Sequence, residues 1–218
     1  MKIKAAIFDM DGTLLDSLWF WEMFWERLGR EYLKREGFRP TAEDDRAIRT
    51  MTLYGAMEFI HNRYNIGESA DELAAFCDEA LVDFYSEDAK LKDGVIEFLE
   101  HLKAQGTLMC IASATEAIRL KIVIDKFGLE KYFSHVLSCA DFGVGKDVPD
   151  IYLAAAEKLG VGAEDAWVFE DSYIAIKTAK SIGMKAVGIY DKNNFSQDKI
   201  KATADYYIAS GETLKKLI

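Results

Sequence analysis

The chain has 218 residues, half of them hydrophobic and 29% charged, with 27 Lys and Arg against 37 Asp and Glu for a formal net charge of −10. That composition belongs to a cored globular chain, not to a disordered tail, and the length suits one domain or one domain carrying an insertion. The acidic balance offers no basic footprint for nucleic-acid phosphates, and no stretch approaches the roughly 18 apolar residues of a membrane span, so neither nucleic acid nor membrane is an expected partner.

Two lysines, Lys2 and Lys4, precede a short apolar run that ends at Asp9. The run is too short for a secretory signal, which makes the cytoplasm the expected compartment. Cys77, Cys110 and Cys139 are odd in number and far apart, with no Cys-x-x-Cys pair. Reduced thiols are expected, not a disulfide framework or a cysteine-rich zinc site.

In chain order, Lys4–Phe8 reads as a buried strand closed by acids and Gly12. From Leu18 to Tyr32 the pattern turns helical. Leu18, Trp21, Trp25, Leu28 and Tyr32 form one stripe, and Phe20 with Phe24 an adjoining one. Gly37 and Pro40 break it. A second helix is expected from about Ala42 to Arg63, weakened at Gly55. Ser69 with Glu72 fits a capping box for a third, whose face carries Leu73, Phe76, Cys77, Ala80, Leu81 and Phe84. The region from about Ser17 to Asp88 is thus all helix.

Beyond it, strands and helices alternate. Helices are expected at Asp93–Ala104, Thr115–Phe127, Asp150–Leu159 and Tyr173–Ile182. Strands are expected at Thr107–Ala112, Val136–Ser138, Ala166–Glu170, Lys185–Ile189 and Tyr206–Ile208, before a C-terminal helix. Such alternation predicts an α/β fold, a parallel sheet with helices on both faces. The strand Lys4–Phe8 joins that sheet, and the helical block is an insertion after it. The predicted division is residues 1–16 with 90–218 as the core and 17–89 as the insertion.

The most informative segment is Asp9-Met10-Asp11-Gly12-Thr13-Leu14-Leu15-Asp16-Ser17. Two carboxylates stand two positions apart at the carboxyl end of a buried strand, the edge where open parallel sheets gather ligands. An EF-hand would need Gly at position 6 and Glu at position 12 of the loop, but Gly12 falls at position 4 and Phe20 at position 12. An N-cap by Asp11 or Asp16 leaves Asp9 unexplained. A chance pair of acids in a solvated turn is the remaining plain reading.

Three later strand ends carry polar groups. Ser113 follows an apolar strand and precedes a helix, where a hydroxyl and free amides suit either a cap or a phosphate oxygen. Lys146 lies in Gly143-Val144-Gly145-Lys146-Asp147-Val148-Pro149-Asp150. A P-loop is excluded there because Ala140 replaces a required Gly and Asp147 a required Ser or Thr. In Trp167-Val168-Phe169-Glu170-Asp171-Ser172 two neighbouring acids close a strand. Both can approach one ion only where the chain leaves the strand.

Taken together, DMDGTLLDS, Ser113, Lys146 and the EDS of Glu170–Ser172 resemble the four ordered motifs of the haloacid dehalogenase-like superfamily, nearest in style to its helical-cap β-phosphoglucomutase and phosphoglycolate phosphatase-like branch. The resemblance covers essentially the whole core. GKDVPD lacks the first proline of the family's usual GKP-x-PD, and Ile174 and Ala175 occupy a region where the family often has glycine. The resemblance implies a Rossmann-like, doubly wound core with an inserted all-helical cap. It implies a magnesium-dependent phosphatase acting on a small phosphorylated metabolite, with Asp9 as nucleophile and Asp11 as general acid and base. Ser113 and Lys146 would bind phosphate. Asp9, the backbone carbonyl of Asp11, and Asp171 would hold Mg2+, with Glu170 in or next to its ligand sphere. Oxygen ligands without His or Cys fit magnesium better than zinc. Dehalogenation is not expected, because dehalogenases lack the second Asp. Trp19, Trp21 and Arg49 are candidate substrate contacts from the cap, each with a plainer reading as core or solvated face. A sugar-phosphate mutase is the alternative, but mutases of this branch carry a His early in the cap. Here Trp21 stands at about that place, and His61, His101 and His135 lie elsewhere. A non-catalytic binding protein is a third reading, against which both Asp9 and Asp11 are kept. A monomer is expected.

Overall fold

A computed structural model describes residues 3–48 and 51–218. By internal contacts the chain forms two compact units, one running through Leu18 and resuming over Ala89–Ile218, the other Trp19–Asp88.

The first unit is built on a six-stranded sheet of β1 (Ala5–Phe8), β4 (Leu108–Ser113), β5 (His135–Ser138), β6 (Ala166–Glu170), β7 (Lys185–Ile189) and β8 (Tyr206–Ile208), in the order β5-β4-β1-β6-β7-β8. Every pairing is parallel. The register sets Phe8 beside Ile111 on one side and Phe169 on the other, so the carboxyl ends of β1, β4 and β6 fall at one edge, β6 running one residue further than β1 and β4 two. Strand order reverses at β1, and a crevice at the carboxyl ends is the topological result.

Alternation along β1 explains the two layers. Ala5 and Ile7 pack with Val168, Tyr152, Ala155, Ala175 and Ala179, the last four from helices α7 (Asp150–Lys158) and α8 (Tyr173–Ser181). Phe8 points to the other face, stacked on Phe169 at 4.4 Å and edge-on to Phe98 and Phe133 at 6.3 and 5.8 Å. Phe98 comes from α5 (Val95–Ala104). The expected parallel sheet with helices on both faces is therefore the fold found.

Several boundaries differ from expectation. A two-stranded antiparallel ribbon, β2 (Leu15–Asp16) with β3 (Lys90–Leu91), was not foreseen, because two-residue strands carry no periodicity. Helix α6 runs from Ala117 to Phe127 instead of starting at Thr115, since Ser113 Oγ accepts the Thr115 amide in a turn before it. A short helix α9 (Gln197–Thr203) precedes β8, and the C-terminal helix is only a 3₁₀ turn at Leu214–Leu217.

The second unit is helical: α1 (Phe20–Leu33), α2 (Ala42–Ile48), α3 (Leu53–Tyr64), α4 (Ala70–Asp83) and a π-helical turn over Phe84–Asp88. The single helix expected over Ala42–Arg63 is two. The second starts at Thr52, whose side chain accepts the Gly55 amide at 3.2 Å, so the break lies N-terminal to Gly55. Ser69 caps α4 by accepting the Glu72 amide at 3.1 Å, while the Glu72 carboxylate reaches back to the Glu68 amide. Within α1 the stripes are unequal: Phe20, Phe24, Trp25 and Leu28 are buried, whereas Trp21 and Tyr32 are half-buried. Among the described residues no helix is long and apolar enough to cross a membrane.

Candidate active site

Four strand-end segments of the first unit meet at the carboxyl edge of the sheet. Asp9 follows β1 directly, and its amide donates to the Phe169 carbonyl at 3.0 Å, which sets it beside Glu170. Glu170 is the last residue of β6, and Asp171 lies in the bend just past it. Carboxylate oxygens of Asp9, Glu170 and Asp171 all lie within 4.8 Å of one another, and all three residues are buried.

Lys146 enters from the loop before α7. Its Nζ lies 2.5 Å from Asp9 Oδ1 and also contacts Glu170 Oε1. Glu170 is further held by the Tyr152 hydroxyl at 3.0 Å and by the Ser172 amide at 3.2 Å. Tyr152 projects from α7 and is fully buried, so its hydroxyl needs such a partner.

Two residues past Asp9, Asp11 has partners of its own. Its Oδ1 accepts from Ser17 Oγ and its Oδ2 from Thr115 Oγ1, both at 2.7 Å. Gly12, next after Asp11, has φ +79°, a left-handed conformation suited to glycine. A Cβ there would fall 2.6 Å from Asp171 Oδ2. The tight turn and the close approach therefore both require Gly12.

The charges do not balance. Burial pushes the Glu170 carboxyl up to about 7; the Asp9 charge adds to this and Lys146 opposes it. Burial, then the charges of Asp9 and Glu170, hold Asp171 well above the usual carboxylate range. Burial alone would pull Lys146 down, but Asp9 and Glu170 outweigh it and keep the ammonium charged. Three clustered acids with one ammonium are short of positive charge, and the all-oxygen donor set suits a hard cation.

The structure thus brings together Asp9, Glu170, Asp171 and Lys146, with Asp11 on the adjoining turn. Ser113 ends β4 two residues before the Thr115 that holds Asp11. Trp19 and Trp21 belong to the second unit, Trp19 edge-on to Phe84 and Trp21 stacked on Trp25 at 5.4 Å. Arg49 lies outside the described residues. Sequence reasoning missed Ser17, Thr115 and Tyr152. Ser17 closes the very segment that marked the site, and Thr115 follows the second motif, so both stood within view; Tyr152 carried no signal beyond its helix.

A model of haloacid dehalogenase-like hydrolases matches residues 3–183. The chain belongs to that family. Over 217 residues it is 29% identical to a phosphorylated carbohydrates phosphatase of Thermotoga maritima, covering 99% of this chain and 98% of that one. It is 29% identical over 190 residues to hexitol phosphatase B of Escherichia coli, covering 85% and 83%. Among solved structures, a Thermotoga maritima protein provisionally named a β-phosphoglucomutase superposes with a TM-score of 0.79 at 27% identity, covering 99% of this chain and 98% of that one. In this haloacid dehalogenase-like hydrolase the cluster of Asp9, Glu170 and Asp171 with Lys146 lies at the carboxyl edge of the sheet.

Proposed function

We propose that the protein is a magnesium-dependent phosphatase of small phosphorylated metabolites that works through an aspartyl phosphate on Asp9. The observation that carries this reading is the buried Asp9 carboxylate, paired with Lys146 at 2.5 Å and grouped with Glu170 and Asp171. Asp9, Asp171 and the Asp11 carbonyl are the groups assigned to hold Mg2+, with Glu170 at its margin as the counter-ion of Lys146. Bound there, the ion supplies the positive charge that lets an anionic phosphate approach an anionic nucleophile.

The chain's own residues carry the remaining steps. Lys146 screens Asp9 and binds a phosphate oxygen, and Ser113 donates to another. The Asp9 carboxylate forms a bond to phosphorus as the bond to the leaving oxygen breaks. Asp11 gives its proton to that oxygen, then takes one from the water that cleaves the acyl phosphate. Ser17 and Thr115 fix Asp11 on both oxygens before the reaction. The helical unit Trp19–Asp88 is assigned the part of the substrate-selecting cap, with Trp19, Trp21 and Arg49 its candidate contacts.

The names of the relatives favour phosphorylated carbohydrates as the first substrates to screen. Phosphate release from a panel of sugar, polyol and nucleoside monophosphates, with and without Mg2+, tests the reading in wild type and Asp9→Asn. Turnover that survives in Asp9→Asn, or that ignores EDTA, overturns it. The β-phosphoglucomutase name of one structural neighbour keeps a mutase as the second reading. That activity would show as sugar-phosphate interconversion needing a bisphosphate activator, with no net phosphate release.

A further inference from the structure

Resting on the assignment of Asp171 to the cation site, we propose that Asn194 is a positioning residue for that site, fixing the Asp171 carboxylate from the loop that follows β7. Asn194 Nδ2 donates to the Asp171 carbonyl at 2.6 Å and to Asp171 Oδ2 at 3.2 Å. Its Oδ1 accepts the Ser196 amide at 3.0 Å. The amide orientation is therefore determined, since only one end can accept from a backbone N–H. On the other oxygen, Thr13 Oγ1 approaches Asp171 Oδ1 at 3.4 Å. These donors use one lone-pair direction on each carboxylate oxygen and leave the other for a ligand.

The loop that presents Asn194 is itself anchored. Asp191 is buried, and its Oδ2 takes Lys92 Nζ at 2.8 Å while its Oδ1 accepts the Asn193 amide at 2.9 Å. The Asp191 carbonyl accepts Gln197 Nε2 at 2.7 Å and the Asn194 amide at 3.1 Å. Lys92 also donates to the Tyr190 carbonyl at 3.0 Å, and its backbone amide donates to the Leu14 carbonyl at 2.8 Å. One lysine thus ties the 190–194 loop to the segment that continues from Asp11 and Gly12.

The need for such a brace follows from the site's charge. Asp171 lies in a bend, facing two other carboxylates that repel it. A donor on its outer side keeps it aimed inward when no cation is present, and outer partners of this kind set metal affinity.

Asn194→Ser separates the brace from the turn. A serine hydroxyl still accepts the amide of residue 196, yet is too short to reach Asp171. The experiment measures the Mg2+ concentration for half-maximal thermal stabilisation, and the Mg2+ midpoint for release of phosphate from p-nitrophenyl phosphate. Both midpoints should rise about tenfold in Asn194→Ser, with the variant still folded and melting somewhat earlier in EDTA for the two hydrogen bonds it loses, and activity lost at low Mg2+ should return as Mg2+ is raised. Midpoints matching wild type in the folded variant overturn the proposal. Should the serine variant fail to fold, Asn194→Thr keeps the same acceptor and is read in the same way. A wild type with no Mg2+ response in either measurement refutes the cation-site assignment itself; a wild type that responds and a variant that matches it refute only the role of Asn194.

Discussion

Lys146 Nζ lies 2.5 Å from Asp9 Oδ1 although 137 residues separate the two in sequence, and the same ammonium contacts Glu170. One cation answers for two buried anions. Replacing it with Met strands both, which costs about 3–5 kcal/mol when one partner of a buried pair is removed. The loss should be larger at pH 8 than at pH 5, because acid can neutralise Glu170. Urea unfolding of Lys146→Met in EDTA at the two pH values checks this, and phosphate release should fall by about 10²–10³.

The raised carboxyls give the metal-free protein a definite pH response. Glu170 moves from its usual value of 4.5 to about 7 on folding, so the native state binds more protons than the unfolded chain between those values. The associated stability is complete below pH 4.5 and is lost as pH rises through about 7. Asp171 shifts in the same direction. Urea midpoints in EDTA should therefore decline from pH 5 to pH 8, and added Mg2+ should stabilise more at pH 8 than at pH 5. A midpoint that climbs across this interval contradicts the charge arrangement.

Gly12→Ala combines two penalties. A left-handed φ costs a non-glycine residue about 1–2 kcal/mol, and the new Cβ would press on Asp171 Oδ2 from 2.6 Å. The variant should melt earlier than wild type and should lose most of its Mg2+-dependent thermal shift. Thermal scans with and without Mg2+ separate the two effects.

Asp11→Asn should leave the fold alone. An asparagine oxygen still accepts one hydroxyl, and the other hydroxyl can turn to accept from the new NH₂. Thermal stability should stay within about 0.5 kcal/mol of wild type, while kcat/KM for alkyl phosphates, which covers only the steps through phosphorylation of Asp9, falls by about 10²–10⁴. An aryl phosphate, whose phenolate leaves without a proton, should suffer less. Equal losses on both substrates would remove Asp11 as the proton donor.

The parts of the site legible in sequence are those where local rules are strong. An apolar run closed by acids marked Asp9, Glu170 and Asp171, and a glycine-flanked loop before a helix marked Lys146. The sheet was legible for the same reason, since each strand carries an uninterrupted apolar stretch. What escaped depends on contacts distant in sequence. Asn194 and Lys92 lie in turns of ordinary polar composition, and nothing local ties either to Asp171. Thr52 was missed as a helix start because the 42–63 stretch keeps its helical period through the break. Ser17 and Thr115 were visible as hydroxyls, but their shared partner, Asp11, appears only once β1 and β4 are side by side.

The place of β1 in the middle of the sheet has a consequence for synthesis. Ala5–Phe8 is translated before both of its neighbours in the sheet, Leu108–Ile111 and Ala166–Phe169. The central strand waits for half of the chain before one edge can be satisfied, and for most of it before the other can. The block Trp19–Asp88 has its own internal contacts and can collapse in the meantime. Long-range parallel pairing of this kind is slow and exposes sticky edges during the wait. A nascent chain stalled before residue 166 therefore holds Ala5–Phe8 with the edge that Ala166–Phe169 will cover still unpaired.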